Sequence, residues 1–354
     1  MKQKRKPGKR RKGALGNLPK GVRLTLAVVA AAAAVAIALG MPYLFVGAPK
    51  QGIVYVHKHM SRSALRDSIA KQTGEAYATR VMNVLAWTGS DLSDREGAFE
   101  IAKGEKAIVT ARHLRNNHQK SVVFTFNNVR TKEEFAQRAG ALFMASEAAF
   151  KRALNDPKVC SKYGKTPDNI ITILMPDSYE FYWATSPEKL LDQLNGYYHK
   201  FWNKKRQDKA RKLGLTPDQV AIIASIAEEE TSKADERGKV GRLYINRLKA
   251  GQRLQADPTV KFALGDFSIK RLTHAMLDVQ SPYNTYRVNG LPPGPIRLPE
   301  KSTINAILDS APHHYLYMCA RPDFSGYHDF TTDYQTHLAN AHKYQEALNK
   351  RGIQ

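Results

Sequence analysis

Residues 216–234 read TPDQVAIIASIAEEETSKA, and this stretch decides how the larger part of the chain folds. Thr216 can cap a helix, Pro217 suits the first helical position, and Gln219 completes a capping box. Val220, Ile223, Ala224 and Ala227 recur at helical spacing with Ile222 and Ile226 beside them, which predicts a helix with one buried stripe. Three glutamates close it. Successive helical residues are turned by about 100°, so Glu228, Glu229 and Glu230 cannot share one environment. Glu229 has Lys233 four positions on and reads as a solvated i,i+4 partner. Glu228 follows Ala224 and Ser225 by one turn, beside the stripe and under small residues that leave room for a ligand. Glu230 falls near Ile223 and Ile226 and can also point inward. A carboxyl held against apolar surface has its pKa raised and keeps its proton near neutral pH, as a general acid must. On position alone, a charged helix end is more often solvated than catalytic.

The neighbouring segments read as a mixed α+β domain. Downstream, a helix is predicted over Glu236–Ala250, ended by Gly251, followed by Pro- and Gly-rich loops over Ser281–Pro299. A helix near Thr303–Leu308, a strand near Tyr315–Ala320 and a helix from about Asp333 complete the C-terminal part. Upstream, Glu133–Arg152 and Pro187–Trp202 have helical character, Ile170–Leu174 reads as a short buried strand, and residues 175–179 as a turn. Residues 52–130 look like a separate small α+β module, with strands at Gly52–Val56, Gly97–Ile101 and Ser121–Phe126 and a helix over Ser61–Thr73.

The chain has 354 residues and a formal net charge of +23. Ten cations, from Lys2 to Arg23, precede Leu24–Val46, a run of 23 residues without a charge. A spanning helix needs about 20 residues, and a cleaved signal has an apolar core of about 7–15. Length favours an anchor, and the flanking cations place residues 1–23 in the cytoplasm and residues 47–354 outside. An extracytoplasmic location argues against nucleic acid as the partner of the remaining basic charge and leaves wall polymer, with its carboxylates, as the alternative. Cys160 and Cys319 show no metal spacing; they can form one long-range disulfide or stay as two buried thiols, and the second is the better reading. There is no G-x-S-x-G, H-E-x-x-H or phosphate loop. His313, His314, His328 and His337 lack clear metal-ligand spacing and read as surface or loop residues. Asp257, before Pro258, reads as a turn or cap. The stiff loops SPYNTY (281–286) and GLPPGPI (290–296) can line a cleft or tie the structure down.

ASIAEEET (224–231), NRL (246–248), RLQADPTV (253–260), SPYNTY and GLPPGPI, in this order and spacing, resemble the endolytic murein transglycosylases, also called the MltG or YceG-like family. The likeness is close over residues 216–337 and weaker upstream, at 128–131 and 174–180. Ala227 stands where a larger aliphatic is common, Glu229 where a basic or small residue is, and Leu338 where asparagine usually follows His337.

The resemblance implies an α+β protein: an N-terminal transmembrane helix (24–46), a LysM-like subdomain (52–130) and a YceG-like catalytic domain (131–354). It implies a peptidoglycan lytic transglycosylase, a lyase needing no metal or cofactor, that cleaves the MurNAc-β-1,4-GlcNAc bond of nascent glycan strands, leaves a 1,6-anhydro end and terminates elongation. It implies Glu228 as the catalytic acid/base and Glu230 and Gln255 as substrate contacts, and Asp257, Tyr283, Asn284 and Tyr286 fall in the same motifs. The implied setting is a single-pass protein of the inner membrane beside glycan-polymerising synthases. The alternatives are a muramidase-type hydrolase pairing Glu228 with Asp257 or Glu230, and a non-catalytic glycan-binding scaffold.

Overall fold

The computed structural model describes residues 19–269 and 271–352, so most of the expected basic tail lies outside the described residues. The chain divides after Lys120 into two compact units, each with its own apolar core.

In the first unit, α1 (Lys20–Phe45) carries the apolar run, and an 18-residue stretch within Lys20–Tyr43 has a mean hydropathy of 2.4 with none of it buried. It is long and apolar enough to cross a membrane. There follow β1 (Gly52–Val56), α2 (Arg62–Thr73), α3 (Glu75–Trp87), β2 (Gly97–Ile101) and α4 (Ala107–Arg115). The two strands pair antiparallel, from Gly52 opposite Ile101 to Val56 opposite Gly97. Val54, Val56, Phe99 and Ile101 share a core with Leu65, Ile69, Tyr77, Val81 and Leu85.

The expected third strand of this module belongs elsewhere. As β3 (Ser121–Phe126) it pairs antiparallel with β4 (Asp177–Tyr182) in the second unit, so the first unit ends at Lys120 and not at 130. The cause is aromatic packing. Phe124 and Phe126 alternate onto one face and meet Phe135 edge-on, with Phe143 against Phe124 and Tyr179 against Phe126.

Between β3 and β4 lie α5 (Lys132–Leu142), α6 (Glu147–Asn155) and α7 (Pro157–Ser161). The single helical stretch expected at Glu133–Arg152 is thus two helices, the second capped by Ser146. The expected buried strand at Ile170–Leu174 is buried, but Ile170–Ile173 forms a 3-10 turn, and the predicted turn at 175–179 runs into β4. Then come α8 (Pro187–Phe201), α9 (Lys204–Leu213), α10 (Pro217–Glu230), α11 (Ala234–Lys249), α12 (Asp257–Leu264), α13 (Lys301–Leu308), β5 (Tyr317–Ala320), β6 (His328–Thr331) and α14 (Tyr334–Lys350).

Helix α10 starts as the sequence predicts, with Thr216 and Gln219 closing a reciprocal capping box. It has no single stripe, because every residue from Val220 to Glu228 is buried. Helices α11 and α13 pack closely on it: a Cβ at Gly241 of α11 would lie 2.5 Å from Cγ1 of Ile307. The loop 290–299 is fastened to the same core. The Ile296 N–H donates to Ser225 Oγ (3.1 Å) and the Leu298 N–H to the Val129 carbonyl (2.8 Å). Cys160 is buried, Cys319 is half-buried, and neither is in a disulfide.

Candidate active site

The room expected above Ala224 and Ser225 is filled by protein. The backbone of the GLPPGPI loop occupies it, through the Ile296–Ser225 hydrogen bond. Glu228 consequently faces an ion cluster. Its side chain is fully buried, and Oε1 accepts the Glu300 N–H at 2.7 Å. Arg297 Nε lies 3.2 Å from Oε2, and Arg237 Nη1 lies 3.8 Å from Oε1. Burial pushes the Glu228 carboxyl up, while the Thr303 hydroxyl, the Glu300 N–H and the two guanidiniums pull it down. Glu229 is not the solvated partner of Lys233. It accepts from Arg297 Nη1 at 2.7 Å and lies 3.1 Å from Arg130 Nη2, residues remote in sequence.

Glu230, two positions on, meets a different setting. It lines a cavity of about 400 Å³ with Tyr244 and Arg247 of α11, Gln255, Asp257, Tyr286, Tyr317 and Cys319 of β5, His328 of β6 and His337 of α14. The carboxyl is half-buried. Tyr244 Oη donates to Oε1 at 2.6 Å. Burial pushes the Glu230 pKa up to about 7; the nearby Asp257 charge raises it further, while the Tyr244 hydrogen bond, Lys261 and Arg247 oppose the shift. The Tyr244 hydroxyl is itself held well above its ordinary pKa by burial and by Glu230, so it remains a donor. With Oε1 accepting from Tyr244, the carboxylic proton falls to Oε2.

The other expected site residues divide. Gln255 lines the cavity in a left-handed backbone conformation, φ +48°. Its N–H donates to the Thr285 carbonyl (3.1 Å), and Thr285 Oγ1 accepts from the Ala256 N–H (3.0 Å), so the SPYNTY loop holds it there. Such strain in a non-glycine residue persists only where the surroundings enforce it, commonly at functional positions. Asp257 opens α12 and lines the cavity, accepting from Tyr286 Oη at 2.5 Å. Asn284 and Tyr283 do not reach the cavity. The buried Asn284 donates to the carbonyls of Leu277 and Val279 and accepts the Tyr286 N–H, and Tyr283 packs against Phe262. They shape the loop that presents Tyr286.

Sequence reasoning passed over Tyr244, Arg247, Tyr317, His328 and His337. Tyr244 read as an inward core residue, and its hydroxyl gave no signal. Arg247 sits in the NRL motif; its guanidinium donates to the carbonyls of Leu316 (2.7 Å) and Leu254 (2.6 Å) and pins β5 to the cavity wall. The histidines looked like loop residues because the β5–β6 pairing and α14 that gather them are remote in sequence. His337 stacks on Tyr317, rings 5.4 Å apart at 24°, and burial with the Arg247 charge lowers its pKa.

A sequence profile of the YceG-like family matches residues 54–343, most of both units. The chain belongs to the YceG-like family. A protein of Bacillus subtilis named endolytic murein transglycosylase is 32% identical over 162 residues, 46% of this chain and 43% of that one. A second of that name, from Streptococcus pneumoniae D39, is 27% identical over 159 residues, 42% of this chain and 27% of its own length. The matched stretches thus span less than half of these relatives. The crystal structure of a yceG-like protein of Listeria monocytogenes superposes with a TM-score of 0.53 at 23% identity, covering 82% of this chain and 98% of that chain, a likeness of fold.

Proposed function

We propose that the protein is a membrane-anchored peptidoglycan lytic transglycosylase, a lyase, with Glu230 in place of Glu228 as its acid/base. The carrying observation is the Glu230 carboxyl on a polar, aromatic-lined cavity, with its pKa at about 7, in a family whose relatives bear that name. Protonated Glu230 donates to the oxygen leaving C1 of N-acetylmuramic acid. The charge developing at C1 is steadied by the sugar's own acetamido oxygen. The C6 hydroxyl of the same sugar then closes on C1, its proton is released, and Glu230 is reprotonated. The C1–O4 bond is lost, the C1–O6 bond is gained, and no water is consumed. General acid–base help of this kind contributes about 10²–10⁴-fold.

Asp257 on the same cavity favours a second reading. A hydrolase needs two carboxyls about 5–9.5 Å apart, and Asp257 with Glu230 would make a muramidase. The products differ by one water in mass, so mass spectrometry of the released fragments separates them. Glycan bound without any fragment would point instead to a scaffold.

The remaining assignments follow from the anchor. Residues 1–23 lie in the cytoplasm and residues 47–354 outside, by the positive-inside rule. An anchored site outside the inner membrane reaches nascent strands, which suits termination of elongation beside glycan-polymerising synthases. The β-α-α-β order of the first unit supports reading it as a LysM-like element that holds or spaces the glycan. Protease accessibility in spheroplasts tests the orientation.

A further inference from the structure

The cavity holds a second group built for proton transfer. His328, the first residue of β6, lines it. Its Nδ1 lies 2.9 Å from Oε2 of Glu236, and its backbone N–H donates to Oε1 of the same carboxylate at 3.0 Å. Glu236 is buried in the first turn of α11, 7% exposed, and the Thr231 hydroxyl just past α10 lies 3.4 Å from its Oε2. One carboxylate therefore grips ring and backbone together and fixes the orientation of the imidazole. A carboxylate at Nδ1 keeps the proton on that nitrogen. Nε2 is then left with its lone pair, and among the described residues nothing is hydrogen-bonded to it.

We propose that His328, oriented by Glu236, is a second catalytic residue that takes the C6 hydroxyl proton as the anhydro ring closes. This rests on Glu230 being the acid. Glu230 gives its proton to O4 as the C1–O4 bond breaks, and O6 bonds to C1 as its proton passes to Nε2. The imidazolium and the Glu230 carboxylate that remain are reset when the proton returns through solvent from Nε2 to Glu230. The division relieves Glu230 of a second transfer within one turnover, and it explains a carboxylate–imidazole pair at the wall of this cavity. Glu236 does not touch the sugar; it is a positioning residue.

The test uses the full-length chain in detergent on purified glycan strands. His328→Asn keeps a donor for Glu236 but removes Nε2. It is expected to lower kcat about 10²-fold, with KM within about threefold and an unchanged melting temperature. Glu236→Gln, which donates to Nδ1 and moves the proton to Nε2, is expected to lower kcat similarly. His328→Ala leaves a hole at the cavity wall, and added imidazole is expected to raise its rate at least about tenfold, which a merely structural histidine would not allow. Wild-type kcat in His328→Asn, or His328→Ala deaf to imidazole, overturns the proposal. Glu230→Gln run alongside separates the two failures: full cutting by that variant removes the Glu230 reading, whatever the histidine variants do.

Discussion

Glu228 and Glu230 lie two residues apart on the last turn of α10 and face opposite worlds. Glu228 is closed off from the cavity, against Arg297, Arg237 and the Glu300 N–H. Glu230 opens on the cavity, and its one side-chain hydrogen bond among the described residues comes from the neutral Tyr244. Burial raises both carboxyls, but only Glu230 combines that shift with access to a ligand. Charge alone does not make an acid catalyst. A proton donor needs an opening, and the ion cluster supplies none.

That contrast can be broken by exchange. The largest expected effect is on rate: Glu230→Gln lowers cutting by about 10²–10⁴-fold, while Glu228→Gln stays within about tenfold of wild type. A steady-state assay of glycan release checks both. The second effect is on stability. Glu228→Ala leaves two half-buried guanidiniums and the Glu300 N–H short of a partner and lowers stability by about 3 kcal/mol, read from denaturant midpoints.

The third effect appears only as pH rises. The Glu230 pKa of about 7 lies above the ordinary 4.5. Below about pH 4.5 the group is protonated both folded and unfolded and has no effect on stability. As pH rises from about 4.5 to about 7, the unfolded chain releases this proton while the folded state keeps it, so stability falls, and above about 7 the loss is complete. Glu230→Gln removes this penalty, so it stabilises the protein at pH 8 by up to about 3 kcal/mol and not at pH 4. Thermal melts at the two pH values measure it. The smallest effect sharpens the assignment of the donor. The Tyr244 hydroxyl lowers the Glu230 pKa, so Tyr244→Phe raises it, shifts the alkaline fall of kcat/KM upward, and changes the plateau only a few-fold.

How much of this was legible depended on the range of the interactions. Local rules placed the start of α10, because the capping box involves residues three apart. They also placed the apolar run of α1. They failed at Glu229, whose partners Arg130 and Arg297 come from loops far along the chain. They failed at Glu228 for a related reason. Helical periodicity separates a buried from an exposed face, but α10 is buried all round up to Glu228, so the period could not say which glutamate meets space and which meets the loop 290–299. The small residues Ala224 and Ser225 were read correctly as making room, but the occupant was backbone. The short run IITIL was apolar enough for strand or turn, an ambiguity periodicity does not resolve. Gln255, Asp257 and Tyr286, singled out by their motifs, line the cavity, whereas Tyr283 and Asn284, from one of the same motifs, hold the loop from behind. The histidines of the cavity needed the β5–β6 pairing and α14 before they could be seen together.

The most direct measurement is mass spectrometry of the fragments released from purified glycan strands by the full-length wild type, Glu228→Gln and Glu230→Gln. The account predicts ends lighter by one water than hydrolysis would give, from the wild type and Glu228→Gln, and none from Glu230→Gln. Anhydro ends persisting in Glu230→Gln but vanishing in a folded Glu228→Gln would contradict it and return the chemistry to the buried glutamate.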